Sequence, residues 1–302
     1  MNQNNAKKMD LVLFPPTLED TISFNHTNEM VSLGRVPYEG DLPQFDYGIS
    51  PKFFAGFPDV PEPRANTYVL NIKKIKVDGS IIHLDTNYTN MRSQFALRRW
   101  IPALPKESAE RKALLRYVVP IAGAMILETS DDQIVMEERG AVEIPGKYHP
   151  APAGGCETRH WQVVPEPFRS IMGEAWEETG LLPGQDYSNV ALIGIARDHT
   201  EGFNPAFTYH AKTNLKFEEV RRYADSIAPE AGEHERLLGA PVDPHQLLTF
   251  LIQHNDMIIG NGLGEILAFG HYKFGEEWLH TSLEALTQKQ WDIQLYDRNF
   301  PT

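Results

Sequence analysis

The chain has 302 residues, of which 41% are hydrophobic and 23% charged, and its formal net charge at pH 7 is −13. This length and composition are typical of a globular protein with one large domain or two modest ones. The acidic balance argues against proteins that bind nucleic acid or anionic membranes through a basic surface. No apolar run is long enough to cross a membrane as a helix, and the single Cys156 excludes an intrachain disulfide, so we expect a cytoplasmic protein.

The first third of the chain carries few regular patterns. Residues 1–12 start polar and are predicted to form a frayed tail, and residues 14–64 are predicted to be irregular because proline, glycine and aromatic residues alternate there. Two mixed apolar and polar runs, 68–77 and 80–84, are separated by Asp78-Gly79, which predicts a β-hairpin.

The sequence pattern changes near residue 115, from a predicted helical region to apolar runs typical of buried strands. Residues 91–117 are predicted to be mostly helical, with Ser108 capping a second helical piece. The nearly continuous apolar run 118–127 predicts a strand buried on both faces. We therefore predict an N-terminal extension at 1–114 and a main domain at 115–302. Within the main domain, further strands are predicted at 133–139, 190–196 and 206–212, a linker at 228–239, and helices at 244–254 and 261–269.

Three carboxylates occur together in the sequence 173–181. On a helix, Glu174 shares a face with Glu177 and Glu178, because residues three and four apart are neighbours. Like charges on one face repel, and a hard divalent cation with oxygen ligands relieves that repulsion. Gly180 then supplies the left-handed position that commonly ends such a helix. The alternative interpretation is a solvated acidic helix end.

The order E-x-x-E-E-T-G-L after a glycine-rich turn resembles the box of the Nudix hydrolase superfamily, G-x5-E-x7-R-E-U-x-E-E-x-G-U, where U is aliphatic. The segment 152–155, Pro-Ala-Gly-Gly, resembles the turn that opens this box. Two positions depart from the family pattern. The family's arginine, which steadies the glutamates, falls on Gly173, and the loop before it carries about four extra residues. Arg169, one helical turn earlier, is a candidate replacement.

The resemblance implies an α/β fold of the Nudix type, an α/β/α sandwich on a mixed sheet, here with an N-terminal β-containing extension. It also implies a hydrolase that needs Mg²⁺ or Mn²⁺ and cleaves a diphosphate joining a nucleoside to another group. By the same resemblance, the metal ligands are Glu174, Glu177, Glu178 and the backbone carbonyl of Ala153. ADP-ribose or a nucleotide sugar is favoured as substrate.

Other candidate site residues follow from the same resemblance. A general base is expected from Glu178 or from the run Glu233-His234-Glu235, where Glu233 and Glu235 point the same way on an extended segment. Arg139 ends the second predicted strand, at a position suited to substrate phosphates. A nucleotide base is predicted to stack on Phe207 or Tyr209, and the alternative for both aromatics is the protein core.

Two other functions stay open at this level. The first is a Nudix-fold module that binds a nucleotide or a partner without turnover, which the departure at Gly173 favours. The second is an isopentenyl-diphosphate isomerase of the same fold, for which Cys156 does not occupy an obvious position. The expected partners are a nucleotide-type small molecule and a second copy of the chain in a homodimer, but not nucleic acid or a membrane.

Overall fold

The computed structural model describes residues 6–17, 22–30, 68–78, 81–90, 104–105, 108–109, 111, 119–140, 144–156, 167–199, 204–229 and 234–296. The strands are β1 (Lys7–Thr17), β2 (Ile22–Met30), β3 (Tyr68–Asp78), β4 (Ile81–Asn90), β5 (Ala122–Glu128), β6 (Gln133–Arg139), β7 (Tyr148–Pro150), β8 (Ala153–Gly155), β9 (Tyr187–Asp198), β10 (Pro205–Thr213), β11 (His234–Pro241) and β12 (Trp291–Tyr296). The helices are α1 (Pro167–Thr179), α2 (Phe217–Ile227), α3 (Pro244–His254), α4 (Gly260–Phe274) and α5 (Glu276–Thr287).

A large mixed sheet organises the described part of the chain. Its strand order is β11-β6-β5-β10-β9-β1-β12, with β7 added beside β6 and β8 beside β5. Strands β10 and β5 are parallel, as are β1 and β12, whereas the other neighbours are antiparallel. The added strands β7 and β8 pair with β6 and β5, so the Pro-Ala-Gly-Gly turn lies beside these two interior strands.

Helices cover both faces of this sheet. Side chains alternate along a strand, so β6 sends Val135 to one hydrophobic core and Ile134 and Met136 to the other. Helices α1 and α2 close the first core, and α3, α4 and α5 close the second. The prediction of an α/β sandwich with a mixed sheet is confirmed, as is the prediction that β5 is buried on both faces.

A smaller three-stranded sheet has the order β2-β4-β3. Strands β3 and β4 form the predicted antiparallel hairpin. This sheet joins the first core, because Leu70 N donates to Cys156 O at 3.0 Å and Ile72 N donates to Val119 O at 2.9 Å. Most of the helical prediction for 91–117 lies outside the described residues, although Arg111 N donates to Ser108 Oγ at 3.1 Å, as a helix cap requires.

Two predictions about the fold are wrong. Residues 7–12 are not a frayed tail but part of β1, which is hydrogen-bonded between β9 and β12. The predicted linker 228–239 includes most of β11, because residues 234–241 pair with β6 at the edge of the sheet. The division at 114 and 115 stays a prediction, and β1 shows that part of the extension lies in the large sheet. None of the helices among the described residues is long and apolar enough to span a membrane.

Candidate metal and active site

Helix α1 follows from its sequence. Pro167 opens the helix, where its missing N–H costs nothing, and buried positions recur at the spacing of one helical face. Gly180 ends the helix with φ +71°, a left-handed conformation that glycine adopts without strain, and its N–H donates to Trp176 O at 2.9 Å. The inward face of α1 includes Glu174 and Glu178, which are one turn apart.

The inward glutamates are almost completely removed from solvent. Glu174 is 4% exposed and Glu178 is 3% exposed, whereas Glu177 is only partly buried. A buried carboxylate without compensation is costly, so two of them one turn apart need a specific reason. The structure brings together two of the three predicted glutamates and leaves Glu177 nearer to solvent.

The glycine-rich turn contacts these two carboxylates directly. Ala153 N donates to Glu178 Oε2 at 3.0 Å. Gly154 lies so close to the Glu174 carboxyl that a Cβ added at Gly154 would be 2.6 Å from Glu174 Oε2 and closer still to the other carboxyl atoms. The absence of a side chain at Gly154 therefore leaves the room that the Glu174 carboxylate occupies. The turn and α1 form one site, although residues 157–166 separate them in sequence.

The electrostatics of this site are dominated by negative charge. Burial raises the pKa of Glu178 well above its usual range, and the nearby charges of Glu137 and Glu174 raise it further. The hydrogen bond from Ala153 and the charge of Arg139 act in the opposite direction but do not balance this effect. A cation beside Glu178 would supply the missing compensation.

Glu137 on β6 is a site residue that the sequence analysis missed. It is 2% exposed, and it accepts hydrogen bonds from Arg139 Nη1 at 3.0 Å and from His234 Nδ1 at 3.1 Å. Burial raises the pKa of Glu137, but the hydrogen bond from His234 and the charges of Arg139 and His149 outweigh it, so the net pKa is lowered. The available signal was a carboxylate directly after the apolar run 134–136 of a predicted strand.

The remaining predicted residues fall in different places. Arg139 ends β6 and turns towards Glu137. Glu233 lies outside the described residues, and Glu235 is exposed. The residue of that run whose side chain enters the site is His234, since neighbours on a strand point to opposite faces. Arg169, the candidate replacement for the family's arginine, is exposed.

The predicted stacking residues are not in the site. Phe207 and Tyr209 are both 0% exposed and belong to the core between the sheet and α1. Their position on β10 explains this, because alternate residues of a central strand covered on both faces point into one core. The prediction that a nucleotide base stacks on either ring is wrong, because neither ring presents a face to solvent.

The donor set suits a divalent cation. Glu174, Glu178 and the Ala153 carbonyl are all oxygen donors, which Mg²⁺ and Mn²⁺ prefer, and the lack of a Cβ at Gly154 admits the Glu174 carboxylate. Within the described ranges, no three His, Cys, Asp or Glu side chains are already gathered around one point that could hold an ion. The structure brings two carboxylates, Glu174 and Glu178, to the turn, and Glu177 is the nearest further carboxylate in sequence, while the Ala153 carbonyl stays a predicted ligand.

A second imidazole and carboxylate pair lies beside the site. His149 on β7 has its Nε2 atom 3.4 Å from Glu265 Oε2 on α4 and its Nδ1 atom 4.0 Å from Glu137 Oε1. Glu265 is 0% exposed. Helix α4 thus brings a fourth buried carboxylate, linked through His149 to Glu137, from the opposite face of the sheet.

Two curated proteins are similar to part of this chain. The chain is 34% identical over 130 residues to the uridine diphosphate glucose pyrophosphatase NUDT22 of Mus musculus. The match covers 38% of this chain and 42% of that protein. It is 32% identical over 130 residues to the protein of the same name from Homo sapiens, with the same coverage. The match therefore spans less than half the length of these relatives. No family model matches the chain.

Two solved structures were also found. The Nudix domain of Shewanella oneidensis NrtR complexed with ADP ribose is 12% identical and has a TM-score of 0.36, covering 54% of this chain and 97% of that one. A Nudix-family hydrolase from Clostridium perfringens is 16% identical and has a TM-score of 0.29, covering 54% of this chain and 97% of that one.

Proposed function

We propose that this chain is a Nudix-type, metal-dependent hydrolase that cleaves the diphosphate of a nucleotide sugar, and its similarity to the two pyrophosphatases supports this proposal. The observation that carries the proposal is the buried pair Glu174 and Glu178, held against the turn at Ala153 and Gly154. The name of the matched relatives makes UDP-glucose the first substrate to test. The products would be a nucleoside monophosphate and a sugar phosphate.

The chain's own residues have distinct parts in this proposal. When bound, a divalent cation neutralises phosphate oxygens and lowers the pKa of an attacking water. Glu174, Glu178 and the Ala153 carbonyl would hold the cation, and the repulsion that raises the pKa of Glu178 would be relieved. Glu177, which is only partly buried, would face the side from which substrate arrives.

Proton transfer and phosphate binding use residues around this centre. Glu178 and Glu233 remain the proposed general bases. Glu235 is exposed, which argues against Glu235 as the general base. Arg139 is 18% exposed at its side chain and already paired with Glu137, so its positive charge is fixed near the cluster. A guanidinium in that position would attract the diphosphate and oppose the charge of the carboxylates.

The test is a rate measurement on a panel of UDP-glucose, ADP-ribose and a nucleoside triphosphate, with Mg²⁺ or Mn²⁺ and with chelator. We expect release of nucleoside monophosphate from a nucleotide sugar, abolished by chelator. Glu178→Gln should lower kcat by about 10³-fold, because a metal contributes several kcal/mol of charge stabilisation. Glu218→Gln is the matched control, since Glu218 lies on the exposed face of α2. Undiminished turnover by Glu178→Gln would refute the metal assignment.

The second candidate is a binding module without turnover. It is favoured by Gly173 next to Glu174, and by the lack of three preassembled ligand side chains among the residues that the structure describes. Calorimetry with UDP-glucose distinguishes the two functions. Tight binding without any product, at metal concentrations that saturate the protein, would support the module and exclude the hydrolase.

A further inference from the structure

His234, the first residue of the edge strand β11, links this strand to the end of helix α1. Its Nδ1 atom lies 3.1 Å from Glu137 Oε2, and its Nε2 atom lies 3.2 Å from the backbone carbonyl oxygen of Glu178. Its side chain is only 5% exposed. Both partners are hydrogen-bond acceptors, so both bonds form when each ring nitrogen carries a hydrogen.

The carbonyl of Glu178 is available for this bond because α1 ends there. The last carbonyls of a helix lack intrahelical donors, and Leu182 N, four residues on, donates to Asp186 Oδ2 instead. An imidazole donor at this position satisfies the carbonyl and complements the negative end of the helix dipole. The bond therefore fixes the main chain of the residue that carries the buried carboxylate.

The other end of the link is firmly held. Glu137 uses one carboxylate oxygen for Arg139 and the other for His234, and β6 pairs with β11 at the register Arg139 to His234. The carboxylate of Glu137 is thus occupied as an anchor. On α1 itself, the residue before Glu174 is Gly173, which offers no side chain to steady the carboxylates.

We propose that His234 is a positioning residue that fixes Glu178, and with it the metal site, by bridging β6 to the end of α1. The proposal rests on the proposed function for its metal, but it concerns how this chain holds the ligand. Outer partners of metal ligands typically change metal affinity by about 10- to 100-fold when removed. A residue with a merely structural role would lower stability without this selective loss of affinity.

The chain offers a matched control. His210 also pairs with a buried glutamate, since its Nε2 atom lies 3.1 Å from Glu128 Oε2 and its side chain is 11% exposed. This pair lies between β10 and β5, away from the glycine-rich turn. His210→Ala therefore removes a buried histidine–glutamate bond of equal length without touching Glu178.

The experiment titrates the full chain with Mn²⁺ alone and follows free Mn²⁺ by electron paramagnetic resonance, with thermal unfolding measured in parallel. We expect His234→Ala to raise the Kd for Mn²⁺ by about 10- to 100-fold, and His210→Ala to leave it unchanged. His234→Gln, which keeps a donor near the Nε2 position, should lose less affinity than His234→Asn, which keeps one near Nδ1. The Gln and Asn pair decides the question even if the alanine variant does not fold.

The outcomes separate this inference from the proposed function. Wild-type affinity in His234→Ala, or an equal loss in His210→Ala, overturns the positioning role while leaving the hydrolase proposal standing. The expected loss of Mn²⁺ affinity in a protein that cleaves no nucleotide sugar supports the positioning role and refutes the hydrolase. A wild-type protein that binds no Mn²⁺ overturns both.

Discussion

Replacement of Gly154 by alanine tests the contact between the turn and the acidic helix. The new Cβ would lie 2.6 Å from Glu174 Oε2. An ordinary contact distance is about 3.5 Å, so the carboxylate must retreat by about 1 Å. A misplacement of about 1 Å in a group that sets the geometry of the reaction, here a proposed metal ligand, costs on the order of 10²-fold in rate. We therefore expect a loss of about 10²-fold in kcat.

The same substitution should leave the fold intact. Gly154 is not among the residues with positive φ, so alanine fits its backbone. The clashing atoms are the end of a flexible side chain, whose displacement from a rotamer costs about 1 kcal/mol, and glycine to alanine in a strand returns about 0.5–1 kcal/mol. The free energy of unfolding should thus change by less than about 1 kcal/mol.

The assay measures the release of UMP from UDP-glucose with Mg²⁺, together with thermal unfolding. Gly123→Ala is the control, because Gly123 is the register partner of Gly154 on β5 and its added Cβ would meet its nearest atom, Ile171 Cβ, at 3.7 Å. An active Gly154→Ala variant with wild-type kcat would refute the reasoning. Equal losses in both variants would show that the effect arises from the strand pair and not from Glu174.

Two further predictions concern stability. Glu128→Gln should destabilise the protein by about 2 kcal/mol at pH 7, because it removes the buried carboxylate that pairs with His210, Lys212 and Lys273. The loss is moderate because the two lysines are partly solvated. Although burial raises the pKa of Glu128, these three partners lower it below its usual value, so its contribution is complete above about pH 4.5 and declines as the pH falls further. Urea unfolding of both proteins should therefore converge below pH 4.5, and a constant difference would contradict the ion pairing. Asp243→Ala should cost about 1 kcal/mol, since Asp243 Oδ1 accepts from His245 N and Gln246 N at the start of α3, and an unchanged thermal midpoint would show that the cap is dispensable.

The sequence predicted the parts of this fold that depend on local pattern. The hairpin of β3 and β4, the buried strand β5, and the helix at 244–254 all follow from composition and periodicity within one segment. Strands β1 and β11 were missed because their identity depends on partners far along the chain. Strand β11 is an edge strand whose burial does not alternate, so its sequence carries little strand signal of its own.

The residues of the site likewise divide into those set by local sequence pattern and those set by contacts between distant segments. The spacing of Glu174 and Glu178 on one helix face is a local property and was predicted from sequence. Glu137 and His234 are 97 residues apart, and His234 and Glu178 are 56 residues apart, so only the folded sheet brings them together. Neither composition nor periodicity reports such pairings. The errors at Phe207 and Tyr209 arose because β10 lies in the middle of the sheet, where alternate aromatic residues enter the core.

The most direct test of the account replaces both inward glutamates, Glu174→Gln and Glu178→Gln together, and measures Mn²⁺ binding and UMP release from UDP-glucose on the same samples. We expect the double variant to bind no Mn²⁺ and to release no UMP. We also expect greater thermal stability in metal-free buffer at pH 7, because burial and like charges disfavour the ionised form of Glu178 in the folded protein. A double variant that cleaves UDP-glucose at the wild-type rate would contradict the claim that these carboxylates form the metal site.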